Sequence, residues 1–586
     1  MTLTSPVAPS ATAEGADATL DAEATRQLDS TIARLAGSEN SFGALSVADR
    51  ARLVDRLHAS VSAASAEWVR AASRIKKLEP DSPYVGEEWI SGPYAVLASL
   101  AVLHSALTAI AAGKSPLAGK KFGRAPGNRV TVPVLPGSVK ESILFNGFRA
   151  EVWMPPGTSE ETTKARAGLG ELDPTKTGGV GLVLGAGNIT SIPPLDVLYE
   201  LFANNRISLL KLNPVLADME AVYRAALAPL IEAGLLEIVQ GGGAVGSYLA
   251  HHAGISHVHI TGSSATHDVV VWGPGKPGRD RRKANTPLLQ KPITSELGGV
   301  SPIILVPGKW SKADLRYQAE HVATQRLHNG GYNCIAGQIV VLSSDWAQKD
   351  AFLVELRAAL DRAPVRAPWY PGSDDRVAAA AKAHPTASRH ASDTRLLVEI
   401  TADGDASTIE TTEYFSPVLG VVQLPGTGLD FLASAVTTVN DDFLGTLGAN
   451  VLIDPATRSQ LGDAFLDQIA LLRYGTIAIN TWTGFGYLTA GAPWGGYPGA
   501  TLTDVQSGIG VVHNALLIDS PERTVAYGPF RPFPRSFAGG EAALFPKPPW
   551  FVTARSAQAT GRNLVNYAKK PSWLKMPAVF GAAFRA

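Results

Sequence analysis

The sequence predicts an α/β fold: a parallel, doubly wound sheet followed by a second α/β unit. Three observations carry that prediction. From residue 178, short apolar runs alternate with helical stretches, as in Gly179-Val180-Gly181-Leu182-Val183-Leu184 and Ile207-Ser208-Leu209-Leu210-Lys211-Leu212. The joints are glycine-rich, at Gly241-Gly242-Gly243 and Thr261-Gly262-Ser263. A second stretch, from 300 to about 470, opens with Pro302-Ile303-Ile304-Leu305-Val306 and contains Gly337-Gln338-Ile339-Val340-Val341-Leu342. Strands apolar along their whole length are buried on both faces, which is the habit of parallel sheets covered by helices.

Composition bounds the rest. The 586 residues are enough for two or three domains, and 45% hydrophobic with 18% charged residues describes a soluble globular chain. Lys+Arg and Asp+Glu are equal at 52, so no global charge favours nucleic acid. One cysteine excludes a disulfide framework and points to a reducing, cytoplasmic setting.

In chain order, residues 1–25 carry neither a basic n-region nor an apolar h-region and read as a disordered lead. Ser46 is placed to cap a helix over 46–75, with Leu53, Leu57, Val61 and Ala64 on one face. Trp89–Gly113 lacks any charged residue and is long enough to be tested as a membrane span. Its alanine content and Ser99, His104, Ser105 and Thr108 favour a buried helix or a helix at a subunit contact. Residues 129–154 alternate as two strands around Pro136-Gly137: Val130, Val132 and Val134, then Ile143, Phe145, Phe148 and Val152. They predict a hairpin serving as an edge or arm. Helices are expected over Pro194–Ala203, Ala217–Ala233 and Gly246–Ala253, with strands at Glu237–Gln240 and His257–Ser263. The domain limits follow: 26–298 for the first helices, the arm segment and the first sheet; 299–475 for the second unit; 476–526 for a return to the first; 527–586 for an extension. That extension has no acidic residue after Glu541 and mixes lysine and arginine with aromatic residues. It is either packed over the subunit or a surface for an anionic membrane.

The chemistry centres on Cys334, in Asn329-Gly330-Gly331-Tyr332-Asn333-Cys334-Ile335-Ala336. A lone thiol is by default a buried hydrophobe. Upstream lie Gly187-Asn188-Ile189 and Ser295-Glu296-Leu297-Gly298-Gly299, and downstream Glu413-Tyr414-Phe415-Ser416-Pro417. A thiol, a carboxylate and an amide together can supply a nucleophile, a water-activating base and an oxyanion donor. Taken singly, Glu296 reads as a turn carboxylate, Asn188 as a helix cap, Lys211 as a solvated charge and Phe415 as core. Their joint occurrence in one order outweighs those readings.

These segments resemble the aldehyde dehydrogenase superfamily, over about residues 45–525. The resemblance implies a Rossmann-like cofactor domain, a catalytic α/β domain and a β-arm used for oligomerisation. It implies NAD(P)-dependent oxidation of an aldehyde to a carboxylic acid. Cys334 matches the nucleophile that forms a thiohemiacetal and then a thioester, Asn188 the oxyanion donor, and Glu296 the base for deacylation. Lys211 resembles the adenosine-ribose lysine, Gly262 and Ser263 the turn beside the pyrophosphate, and Glu413 and Phe415 the nicotinamide-side pair. NAD or NADP is the implied cofactor, with no metal, and a homodimer or homotetramer the implied assembly.

The sequence also departs from the family pattern. Pro214 stands where a ribose-binding Glu is usual, so the choice between NAD and NADP is open. His267 replaces a pyrophosphate-turn Gly and Tyr332 a Gln. An insertion at 273–283 reads as a solvent loop or as a basic clamp for a 2′-phosphate. The family's Pro-Phe-Gly-Gly turn is Pro493-Trp494-Gly495-Gly496. Ile189, Asn333, Ile335, Trp482 and Phe485 are expected to line the substrate pocket and to select a hydrophobic or aromatic aldehyde. Two alternatives stand beside hydrolytic oxidation. One is a CoA-acylating dehydrogenase, which Glu296 disfavours. The other is an idle scaffold or a membrane-associated binding protein using the tail.

Overall fold

The computed structural model describes residues 20–544 and 546–586. Most of the expected lead lies outside these residues. Its last part is ordered: Asp21 accepts the N–H of Ala24 and caps a helix over Ala22–Gly43, so residues 22–25 are helical. Ser46 caps the helix Val47–Ile75 by accepting from Asp49 N, and Leu53, Leu57 and Val61 are buried along it as expected. The uncharged segment is a core helix. It kinks at Gly92-Pro93 and continues as Ala95–Ala111, burying Val96, Leu97, Leu100, Leu103 and Leu107. Helix Val85–Ala111 is long and apolar enough to cross a membrane by length and composition. Here its apolar stripe belongs to the same core as helix Val47–Ile75, and Ala101, Ser105 and Thr108 face outward.

The arm begins with strands β1 (Gly123–Ala125), β2 (Arg129–Leu135) and β3 (Arg149–Trp153). β2 and β3 pair antiparallel, with Val132 opposite Val152. Ile143 is not on a strand. Ser138 accepts from Glu141 N and starts a short helix, Val139–Leu144, that leaves Ile143 on the surface. A cap immediately after Pro136-Gly137 overrides the alternating pattern.

The first α/β unit contains β4 (Val180–Leu184), β5 (Ile207–Lys211), β6 (Leu236–Val239), β7 (His257–Gly262) and β8 (Ile293–Leu297). All pair in parallel, in the order β6-β5-β4-β7-β8. The strand order reverses at β4, and in open α/β sheets ligands bind outside the carboxyl ends of strands at such a switch point. The insertion is a helix, Gly275–Ala284, rather than a loop. Three of its cations are engaged: Lys276 pairs with Asp280, Arg281 donates to Trp272 O, and Arg282 to Asp268 and Thr503 O.

The second unit adds β9 (Ser301–Leu305), β10 (Gly337–Ser343), β11 (Ser388–His390), β12 (Arg395–Ile400), β13 (Val418–Leu424), β14 (Gly448–Leu452) and β15 (Thr476–Ile479). After β16 (Pro493–Trp494) and β17 (Val512–His513), which pair with each other, comes β18 (Arg523–Tyr527). β18 lies between β15, parallel, and β3, antiparallel. The arm is therefore the edge of one eleven-stranded sheet with the order β1-β2-β3-β18-β15-β14-β9-β10-β13-β12-β11. The expected limit at 298 falls between the two sheets. The limit at 475 cuts β15 away from the sheet to which it belongs, and the second unit extends through 479. In the loop after β16, Ile509 O accepts from Ser295 N at 2.9 Å and Ser507 O from Leu297 N at 3.0 Å.

The extension is packed. Helix Ala557–Lys569 buries Leu564, Val565 and Tyr567, and at Gly86 an added Cβ would meet the Ala557 carbonyl carbon at 2.4 Å. Trp550 and Phe551 are also buried.

Candidate active site

Cys334 sits in the loop that joins helix Lys312–Leu327 to β10. The chain reverses there through three consecutive left-handed residues, Asn329 (φ 56°), Gly330 (φ 73°) and Gly331 (φ 84°). Two glycines carry most of that conformation without a Cβ penalty. Asn329 holds the loop from inside. Its Nδ2 donates to Asn188 O, Tyr332 O and Asn333 Oδ1, and its Oδ1 accepts from Lys76 Nζ at 3.0 Å. Lys76 is completely buried and pairs with Glu88 at 2.8 Å. Glu87, next in the chain, accepts from Asn329 N and from Arg366.

The thiol is half-buried and hydrogen-bonded to the side chain of Glu296 near the end of β8. Trp494 Nε1 donates to Glu296 Oε1 at 3.0 Å and fixes the carboxyl from its other side. Burial raises Glu296 to about 7, against the pull of the Trp494 and Cys334 hydrogen bonds. Burial and the adjacent Glu296 push the thiol well above its usual range. The resting pair is therefore a neutral thiol beside a carboxyl group that is about half ionised at pH 7.

Asn188 Nδ2 donates to Tyr332 O at 2.9 Å. One N–H of this amide thus ties the loop after β4 to the cysteine loop. Glu413 lies close: it accepts from Gly299 N, and burial raises it to about 8 with Glu296 adding to the rise. Gly298 makes room for it, since an added Cβ would stand 2.0 Å from Glu413 Oε1. Phe415 (φ 45°) packs against Tyr370 and Tyr332 at centroid distances of 5.1 and 6.2 Å.

Lys211 ends β5, buried, and burial lowers its ammonium to about 8. Its ammonium has no hydrogen-bond or ion-pair partner among the described residues. Gly262 ends β7, and Ser263 caps helix Ser264–Trp272 by accepting from Thr266 N. Both lie at the carboxyl edge of the five-stranded sheet. Pro214, the departure at the ribose site, begins a 3₁₀ turn capped by Asn213.

The expected pocket residues divide. Ile335, Trp482 and Phe485 share an apolar cluster against which Cys334 packs. Ile189 lies in a smaller cluster with Ala186 and Ile192, and Tyr487 touches both clusters. Asn333 gives its amide to His328 O at 3.0 Å and accepts from Asn329, so it braces the loop.

Trp494, Asn329, Lys76 and Trp550 escape sequence reading as site residues. Trp494 is visible only as a departure in its turn. Lys76 lies more than two hundred residues from the loop it supports. Trp550, from the extension, packs on Phe485 and Phe148 at 5.6 Å each.

Residues 212–386 match the model of the aldehyde dehydrogenase family. Over that segment the chain is similar to the aldehyde dehydrogenase family. An aldehyde dehydrogenase of Enchytraeus buchholzi is 30% identical over 151 residues, covering 25% of this chain and 26% of that protein. The chain thus spans about a quarter of the length of that curated relative. Its fold is similar to that of an indole-3-acetaldehyde dehydrogenase in complex with NAD+, with a TM-score of 0.58, 18% identity and coverage of 87% and 90% of the two chains. It is likewise similar to gamma-glutamyl-gamma-aminobutyraldehyde dehydrogenase of Burkholderia cenocepacia, with a TM-score of 0.56, 20% identity and coverage of 86% and 88%. Glu296 and Cys334 are hydrogen-bonded to each other.

Proposed function

We propose that the chain oxidises a hydrophobic aldehyde to its carboxylic acid with a nicotinamide dinucleotide as electron acceptor. The observation that carries this reading is the hydrogen bond between the only thiol and a carboxyl group raised to about 7. The residues fit the cofactor. Lys211 is a buried, unpartnered cation at a strand end beside the switch point, suited to ribose hydroxyls, and the Ser263 helix start suits an anion. Glu413, kept neutral at pH 7, and Phe415 would hold the nicotinamide side. When bound, the nicotinamide supplies a two-electron acceptor for the aldehyde hydrogen.

The chain's own residues do the rest. Glu296 takes the Cys334 proton, and the sulfur adds to the aldehyde carbon as a thiohemiacetal. The second N–H of Asn188 and the Cys334 N–H face the developing oxyanion. After oxidation to the thioester level, Glu296 gives the Cys334 proton up to solvent; its carboxylate then takes a proton from water, the water oxygen adds to the acyl carbon and the sulfur leaves as thiolate. A base that already contacts the nucleophile favours water over CoA as the acyl acceptor.

The wall of Ile335, Trp482, Phe485, Phe148 and Trp550 supports an apolar substrate. The lone thiol, which needs a reducing environment, supports a cytoplasmic site of action. A homodimer or homotetramer is the proposed assembly, to be measured by sedimentation velocity. The decisive test is a panel of aliphatic and aromatic aldehydes with NAD and NADP, followed at the reduced-nicotinamide band. Turnover that disappears in Cys334→Ala supports the reading. Silence in every well with a reduced, alkylatable Cys334 refutes it.

A further inference from the structure

We infer that the chain docks on anionic lipid bilayers through a patch built jointly by the arm and the extension. The extension buries half of its described aromatic residues and leaves several large apolar side chains in solvent. Leu574 is 90% exposed and Trp573 51%, just before helix Met576–Ala583, and Phe584 follows that helix at 48%. Val139, 71% exposed, and Ile143 lie on the short arm helix Val139–Leu144. The two segments touch. Lys140 Nζ lies 5.9 Å from the Trp573 ring centroid and donates to Pro571 O at 3.4 Å. Beneath them, Leu144 packs in one cluster with Leu564, Tyr567, Met576 and Val579. The outward apolar residues therefore stand on a fixed platform rather than on a loose tail. Exposed apolar groups of this size, rimmed by charge, mark an interaction site.

The rim selects the partner. Lys140, Lys569, Lys570 and Lys575 surround Trp573 and Leu574 along the chain or in contact, and no acidic residue follows Glu541. Lys569 and Lys575 are close enough to repel each other. Glu141, the acid on the arm helix, accepts from Gly137 N and keeps its charge, one carboxylate against four lysines. A second copy of this chain docking by a two-fold axis would bring these lysines face to face. An anionic bilayer neutralises them while accepting Trp573 at the headgroup level and Leu574 below it. Phe145 ends the arm helix and packs on Phe485 at 6.1 Å, so the patch is continuous with the aromatic wall behind Cys334.

The test uses the full chain in co-sedimentation with phosphatidylcholine vesicles, with and without phosphatidylserine. Binding to the phosphatidylserine vesicles is expected, falling as salt is raised. Trp573→Ser with Leu574→Ser should abolish it. Lys569→Gln, Lys570→Gln and Lys575→Gln together should weaken it about 100-fold. All five positions are at the surface, and circular dichroism checks that the variants fold. No binding, equal binding to both vesicle types, or binding unchanged in both variants would overturn the proposal. So would sedimentation velocity that shows a lipid-independent dimer lost in the Trp573/Leu574 variant, which would assign the patch to a second copy.

Discussion

Trp494 Nε1 and the Cys334 thiol hold the same carboxyl group, that of Glu296, from two sides. The indole lowers the proton affinity of a carboxyl that burial raises to about 7. A base so placed must be deprotonated to act, so activity should rise with pH through about 7 and fall away below it. In Trp494→Phe the ring remains but the donor is lost. Glu296 then rises further, the rising limb of kcat/KM moves to higher pH, and activity at pH 7 falls about tenfold, the value of one charged hydrogen bond. A pH–rate profile of the two proteins reads the shift directly. An unmoved limb would detach Trp494 from the base.

Glu296→Gln should stall the reaction after acyl transfer, leaving an adduct on Cys334 visible by intact mass. The same substitution removes the neighbouring negative charge and the acceptor that raise the thiol. Alkylation of Cys334 should therefore reach half its maximal rate at a lower pH than in the parent. Steady turnover without an adduct would remove Glu296 from deacylation.

Glu413 is raised to about 8 and so is largely neutral at pH 7. Glu413→Gln should then bind NAD at pH 7 within about threefold of the parent by fluorescence titration. Above pH 8 the two should diverge, because only the parent gains a charge there. A large loss already at pH 7 would mean that the ionised carboxylate is required.

Lys76→Met should be the most destabilising of these changes. It leaves Glu88 buried without its cation and takes away the group that Asn329 Oδ1 accepts from. Breaking a buried pair from one side costs about 3–5 kcal/mol. Thermal unfolding should show the loss, and limited proteolysis should show a loosened loop around 329–334.

Trp550→Ala should reshape the substrate site from the extension. The indole packs on Phe485 and Phe148, so its removal opens the apolar wall. The ratio of kcat/KM between bulky and small aldehydes should change about tenfold, beyond any common loss from destabilisation. An unchanged ratio would make Trp550 purely structural.

The sequence by itself determined the two α/β units, the run of strands from β4 to β8, and the three segments that carry Cys334, Glu296 and Asn188. Those features rest on local pattern: fully apolar strands, glycine joints, and a single thiol between two quoted motifs. It missed local events that compete with pattern, such as the Ser138 cap that turns Ile143 out onto a helix, and the helix formed by the insertion. Tertiary structure alone decided that Trp494 grips Glu296, that Lys76 supports Asn329, and that β18 joins the arm to the second sheet. It also decided which tail aromatics are buried and which are left for a surface. Each is a contact between segments far apart in the chain. Its partner is chosen by packing and by the need to satisfy buried polar groups, and spacing along the sequence carries no record of that choice.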